Sequence, residues 1–194
     1  LNGVDLLRLS ETEMRRVRWS QIALIFQGAM NALNPVRKVG DQIAEAVTLH
    51  SHSDQQDARR RVGELMEMVG IAPERASQYP HQFSGGMRQR AMIAMALACK
   101  PDILIADEPT TALDVMIQAQ ILDLLQQLQT QLGLSVVLVT HDLGVVAELC
   151  DDVLIMYGGK VAEYGDVDTI YNQPKHPYTQ RLLEAFPDVN APTD

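Results

Sequence analysis

Two short groups of residues in the middle of the chain have the types and spacing that phosphate chemistry requires. Ser84, Gly85 and Gly86 open an apolar helical pattern, and adjacent glycines behind a serine let backbone amides approach an anion at a helix start. Asp107 and Glu108 follow a short apolar run with the character of a buried parallel strand. Open α/β folds bind ligands at the carboxyl ends of such strands. Both groups therefore indicate a site for a phosphorylated ligand.

Neighbouring patterns predict the elements that must position these groups. Residues 22–26 are apolar and predict a strand that stops at Gln27, and residues 135–139 predict a second buried strand that delivers His141. Asp114 stands where an N-cap would open a long helix with an apolar stripe. The order of the strands places this histidine near the paired carboxylates, at the carboxyl edge of one sheet.

Length and composition restrict the class of protein. The chain has 194 residues, 46% of them hydrophobic and only 5% aromatic, which suits one α/β domain with a sizeable core. The formal net charge of -9 argues against nucleic acid or an anionic membrane surface as a direct partner. Cys99 and Cys150 lack metal-ligand spacing and are expected to be free thiols. Because no apolar run reaches the ~18 residues of a membrane helix, we expect any membrane role to depend on a partner.

Taken in chain order, the motifs resemble those of ABC-type ATPases. Residues 83–114 are similar to the signature motif, Walker B strand and D-loop of that family. Gln27 with the following Asn34-Pro35 pair resembles the Q-loop, and His141 resembles the switch histidine. The resemblance is specific because four separate motifs occur in the right order.

Two details resemble one branch of this family, the oligopeptide and dipeptide importers. The usual signature of the family is Leu-Ser-Gly-Gly-Gln, whereas this chain has Phe83 and Met87 at the outer positions. The His-Pro-Tyr-Thr segment at residues 176–179 is the second detail. The resemblance therefore covers nearly the whole chain.

The fold implied by the resemblance is α/β, with a P-loop NTPase-like (RecA-like) parallel sheet core flanked by helices. Residues 38–98 would form a helical subdomain that carries the signature, residues 99–165 the sheet core, and residues 166–194 a C-terminal helical tail. No stretch fits the phosphate loop G-x-x-x-x-G-K-[ST], and Gly159-Lys160 lacks its flanking residues. We therefore expect a partial ATP-binding domain without its first βα unit, catalytically inactive by itself.

The resemblance also implies roles for individual residues around ATP and Mg²⁺. These roles are catalytic for Glu108, His141 and Gln27, ATP-binding for Ser84, Gly85, Gly86 and Asp114, and metal-binding for Asp107 and Gln27. Glu108 would polarise the water that attacks the γ-phosphate. Phosphoryl transfer needs positioning and charge neutralisation more than covalent chemistry, and these residue types supply both.

The implied function is that of the ATP-hydrolysing subunit of an importer for peptides, or for nickel or similar small solutes. Its implied partners are a second ATP-binding subunit, identical or not, and membrane permease subunits that contact the Gln27 loop. Nucleic acid is not expected as a partner. Such a subunit is expected in the prokaryotic cytoplasm, at the cytoplasmic face of the inner or plasma membrane, to which it is attached through the permease subunits. The alternative is a non-transport ATPase of the same superfamily, in DNA repair or translation, against which the acidic charge argues.

Overall fold

The computed structural model describes residues 1–28, 32–51 and 54–185. The chain divides into two compact units, Leu1–Val139 and Thr140–Asp194. Two predicted features lie partly outside the described residues: the Gln27 loop, which continues into residues 29–31, and the C-terminal tail, which includes residues 186–194. Within the described residues, no helix is both long and apolar enough to cross a lipid bilayer.

The first unit contains a three-stranded parallel sheet. Its strands are β1 (Ile22–Ile25), β2 (Ile103–Asp107) and β3 (Ser135–Val139), in the order β1-β2-β3. In register, Ile25 lies beside Ala106, and Asp107 lies beside Val139. Because all strands are parallel, the three carboxyl ends meet at one edge of the sheet. The predicted strands are confirmed, and β1 ends one residue earlier than predicted.

Helices fill the connections between these strands. The helices of this unit are α1 (Glu11–Val17), α2 (Val39–Ser51), α3 (Gln55–Met68), α4 (Gly85–Ala96) and α5 (Val115–Leu132). Three of them, α2 to α4, lie between β1 and β2, and α5 joins β2 to β3. Asp114 caps α5 by accepting a hydrogen bond from the Ile117 N–H (3.0 Å). Gly133 ends α5 in the left-handed conformation, with φ of 64°.

The core of the first unit lies between one face of the sheet and the helices. Side chains alternate along each strand, so β1 and β2 bury one set on this face. The largest fully buried side chains of the unit are Ile25, Ile43, Leu65, Met66, Ile93, Leu97, Leu104, Ile121 and Leu128. Burial of one such side chain stabilises the fold by roughly 1.5–3 kcal/mol. This core fixes the strand ends that carry the polar residues.

The second unit is built on an antiparallel hairpin. Its elements are α6 (Leu143–Leu149), β4 (Asp152–Tyr157), β5 (Lys160–Asp166), α7 (Val167–Asn172) and α8 (Pro177–Glu184). Gly158 and Gly159 make the turn between β4 and β5 with φ of 57° and 76°, a conformation that favours glycine. Val153, Ile155 and Ile170 form its small core.

A carboxylate in β5 holds the segment that leads into α8. Glu163 accepts hydrogen bonds from the backbone N–H groups of Lys175 (2.7 Å) and His176 (3.0 Å). The buried Thr179 hydroxyl contributes most to a lowered pKa of Glu163, followed by the Lys175 N–H. That hydroxyl makes no hydrogen bond of normal geometry within the described residues. The two amide donors are thus the direct contacts that favour the charged carboxylate.

Two helical glycines allow a matched test of packing. A Cβ at Gly40 in α2 would lie 2.8 Å from both the Cβ and the carbonyl oxygen of Ala76, whereas a Cβ at Gly63 in α3 would meet nothing within 4 Å. We expect Gly40→Ala to lower the free energy of unfolding by about 1–3 kcal/mol, since the clash is with backbone. Gly63→Ala should raise it by about 0.5–1 kcal/mol. Urea unfolding measures both, and equal effects would contradict this packing.

The Glu163 contacts predict an acid-sensitive junction. A carboxyl group with a lowered pKa contributes stability above its unfolded value, about 4.3, and loses that contribution as pH falls through the folded value. We expect hydrogen-exchange protection of the Lys175 and His176 amides to fall as pH drops below that range. Glu163→Gln should have low protection already at neutral pH, and the control Glu184→Gln should behave as the parent. Unchanged protection in Glu163→Gln would show that the carboxylate does not hold this segment.

Candidate functional site

Glu108, the residue after β2, has an unusual backbone conformation. Its φ of 42° lies in the left-handed region, which costs a non-glycine residue on the order of 1 kcal/mol. Its N–H donates to the carbonyl oxygen of Val139 at the end of β3 (2.9 Å), and its own carbonyl accepts from the N–H of Thr111 (3.2 Å). The backbone is therefore held on both sides. This conformation turns the chain out of the sheet at the carboxyl edge.

The Glu108 carboxylate accepts hydrogen bonds from side chains in different parts of the chain. Its Oε2 atom accepts from Nε2 of Gln27, just after β1 (2.9 Å), and from the Thr111 hydroxyl (2.8 Å). Gln27 is exposed, and Glu108 is half-buried. Parallel pairing of β1 and β2 thus brings together two predicted site residues that are 81 positions apart in the chain.

Asp107 occupies the last position of β2, half-buried and beside Val139 of β3. Among the described residues, no group of three or more His, Cys, Asp and Glu side chains could hold a metal ion alone. Mg²⁺ commonly takes only one or two protein carboxylates and completes its shell with phosphate oxygens and water. Asp107, at the carboxyl end of β2, and Gln27, just after the carboxyl end of the paired β1, offer a carboxylate and an amide oxygen at one edge of the sheet, which fits that sparse requirement.

The start of α4 consists of a capping serine followed by two glycines. Ser84 is exposed and caps the helix, its hydroxyl accepting from the N–H of Met87 (3.2 Å), and Gly85 and Gly86 are the first two helical residues. The first N–H groups of a helix lack partners within it and carry the positive end of its dipole. This turn can therefore bind an anion such as a phosphate group.

An arginine in the first turns of α4 holds the residue before the cap. Arg88 donates from Nη1 to the carbonyl oxygen of Phe83 (2.8 Å), and the Phe83 side chain is buried, with 3% exposure. The buried ring and the bound carbonyl together fix the backbone that leads into Ser84. The aromatic residue at the outer signature position thus has a packing role in this chain.

Gly86 also has a steric role that phosphate chemistry alone does not predict. It is buried, and a Cβ at this position would lie 2.7 Å from Cγ2 of Ile117 in α5. The backbone N–H of the same isoleucine donates to the Asp114 carboxylate. The glycine-led start of α4 and the Asp114 cap of α5 are therefore in direct packing contact.

His141 lies in the second unit, between β3 and α6, and is exposed. The next residue, Asp142, caps α6 by accepting from the N–H groups of Gly144 (2.9 Å) and Val145 (3.2 Å). Thr111 is not among the site residues predicted from the sequence, although it contacts Glu108 directly. Its spacing of three from Glu108, with Pro109 between them, was the available signal.

The parallel sheet, with paired carboxylates at its carboxyl edge, defines an open α/β domain of the kind that binds ligands at this edge. The family model described as ABC transporter matches residues 1–111, and that of the oligopeptide/dipeptide transporter C-terminal region matches residues 162–194. The chain therefore belongs to the ABC transporter family, and the family prediction is confirmed.

Curated relatives carry names from peptide transport. The dipeptide transport ATP-binding protein DppD of Bacillus subtilis (strain 168) is 57% identical over 188 residues, which cover 96% of this chain and 56% of the relative. The oligopeptide transport ATP-binding protein OppD of the same organism is 53% identical over 191 residues, which cover 97% of this chain and 53% of the relative. The chain thus spans a little over half the length of these two relatives.

A solved structure shares the fold. The ATP-binding cassette MJ0796, in a dimeric post-hydrolysis state bound to ADP and Pi, superimposes with a TM-score of 0.74 at 28% identity. The match covers 86% of this chain and 72% of that one. The predicted fold, a P-loop NTPase-like parallel sheet with flanking helices, is confirmed.

The contact between Gly86 and Ile117 predicts a compensating pair of substitutions. Gly86→Ala should lower the free energy of unfolding by about 1–3 kcal/mol, because the stiff β-branched side chain of Ile117 cannot move away cheaply. Ile117→Ala removes the clashing methyl group. The double variant should therefore lose less stability than the sum of the two single variants, by most of the Gly86→Ala effect. Urea unfolding of all four proteins measures this coupling. Purely additive effects would contradict the contact.

Proposed function

We propose that this chain is part of the ATP-hydrolysing subunit of an importer for peptides. The observation that carries the proposal is the hydrogen bond from Gln27 to Glu108, made at the carboxyl edge of the sheet in a chain of the ABC transporter family. An amide and a carboxylate in contact at this edge can together bind and polarise one water molecule.

In the proposed mechanism, Glu108 acts as the base toward the water that attacks the γ-phosphate of ATP. Gln27 orients the same water, and His141 donates a hydrogen bond to the γ-phosphate. Asp107, with Gln27, would hold Mg²⁺, which supplies positive charge to the phosphate oxygens when bound. The strained backbone at Glu108 fixes the direction from which the carboxylate faces the water.

The start of α4 serves a different nucleotide in this proposal. The exposed Ser84 with the amides of Gly85 and Gly86 would bind the ATP held by a second ATP-binding subunit, and Asp114 would lie at the interface between the two subunits. The dimeric state of the ATP-binding cassette MJ0796 supports this arrangement. The packing of Gly86 on Ile117 supports it too, because it fixes the glycine turn and the Asp114 cap as one body.

The transported substrate and the membrane partner complete the proposal. The names of the relatives, with the oligopeptide/dipeptide transporter region at residues 162–194, support peptides as the solute and favour transport over DNA repair or translation. Permease subunits would bind the Gln27 loop and hold the subunit at the cytoplasmic face of the membrane. Co-purification of permease subunits with the complete gene product tests this assignment, and recovery of DNA or ribosomes instead would contradict it.

Replacement of the proposed base separates binding from hydrolysis. Glu108→Gln in the complete gene product should lower kcat for Mg-ATP hydrolysis by about 10²-fold or more, since the amide is not a base, while ATP affinity is retained. Steady-state hydrolysis and equilibrium nucleotide binding measure the two quantities. The control Glu67→Gln, an exposed carboxylate in α3, should behave as the parent. Undiminished turnover in Glu108→Gln would contradict the assignment of the base.

A further inference from the structure

Residues 108–111 form a tight turn that contains its own side-chain clamp. The N–H of Thr111 donates to the carbonyl oxygen of Glu108 (3.2 Å), with Pro109 at the second position of the turn, where its fixed φ is favoured. The hydroxyl of the same threonine donates to Oε2 of Glu108 (2.8 Å). Thr111 thus binds Glu108 twice, backbone to backbone and side chain to side chain.

Thr111 and Gln27, which both donate to Oε2, are tethered differently. Thr111 reaches the carboxylate within a four-residue turn, so little chain entropy opposes the contact. Gln27 lies just after β1, at the beginning of the loop, and reaches the carboxylate with an exposed side chain. The glutamine can therefore leave the carboxylate while the sheet stays intact, whereas the threonine stays within reach of the carboxylate as long as the turn is closed.

We propose that Thr111 is the positioning residue that keeps the Glu108 carboxylate directed at the attacking water when Gln27 moves from the carboxylate to that water. The inference rests on the proposed function, in which Glu108 is the base. Thr111 acts only through Glu108 and touches neither water nor nucleotide in this account. A hydrogen bond from a fixed hydroxyl restricts the rotation of a carboxylate that must face one direction during the reaction.

The hydroxyl, and not the size of the side chain, is the part that the proposal requires. Valine has nearly the same shape as threonine and lacks the donor, and serine keeps the donor without the methyl group. The neighbouring Thr110 provides a matched control: its carbonyl oxygen accepts from the Leu113 N–H (3.2 Å), whereas its hydroxyl makes no hydrogen bond to any residue that the structure describes.

The test measures single-turnover hydrolysis of Mg-ATP, nucleotide affinity and thermal unfolding in the complete gene product. Thr111→Val should lower the hydrolysis rate about tenfold or more, the effect of one lost hydrogen bond to a charged group, with ATP affinity unchanged and Tm lowered by only a few degrees. Thr111→Ser should restore the rate to within about threefold of the parent, and Thr110→Val should leave it unaltered.

A double variant separates positioning from a purely structural role. If Thr111 acts through Glu108, Thr111→Val should cause no further loss in a Glu108→Gln background. An equal loss in both backgrounds, a parental rate in Thr111→Val, or a lost rate that serine does not restore would each overturn the inference and leave the proposed function standing. A parent protein that does not hydrolyse Mg-ATP, or a Glu108→Gln variant with the parental rate, would overturn both.

Discussion

The hydrogen bond between the Gln27 amide and the Glu108 carboxylate depends on nearly everything else in the first unit. It joins residues that are 81 positions apart, so it exists only if β1 and β2 pair in parallel and in the observed register. A shift by one residue would turn the buried side chains of a strand outward, and the core excludes that. The hydrophobic core thus sets the geometry of a polar contact at the edge of the sheet.

A second constraint links the two parts of the proposed nucleotide chemistry. Gly86 packs directly on Ile117, whose N–H is held by the Asp114 cap, so the start of α4 cannot shift without disturbing the start of α5. α5 begins seven residues after Glu108, the first residue of the turn that follows β2. Glu108 is therefore linked to the glycine turn of α4 through a short segment of chain and one packing contact. In the proposal, Glu108 serves this subunit's nucleotide and the glycine turn serves the partner's nucleotide.

Local sequence patterns predict the helices and strands well, whereas they do not predict the side-chain contacts between these elements. Apolar runs of strand length and capping residues such as Ser84 and Asp114 act over a few positions, so they can be read from a single chain. The clash that keeps position 86 a glycine depends on packing between helices, which leaves no local pattern. The spacing of Thr111 from Glu108 indicates a turn, but not the rotamer that brings the hydroxyl to the carboxylate. The proposed subdomain boundaries and the role of His141, in the second unit, stay predictions.

The most direct measurement is a crystal structure of the complete gene product trapped with Mg²⁺, ADP and vanadate, which mimics the transferred phosphoryl group with its attacking oxygen. The account predicts that the Glu108 carboxylate lies about 3 Å from that oxygen and keeps its hydrogen bond from Thr111, while Gln27 contacts the oxygen or the metal. A Glu108 side chain turned away from the oxygen, with another residue in the position of the base, would contradict the account.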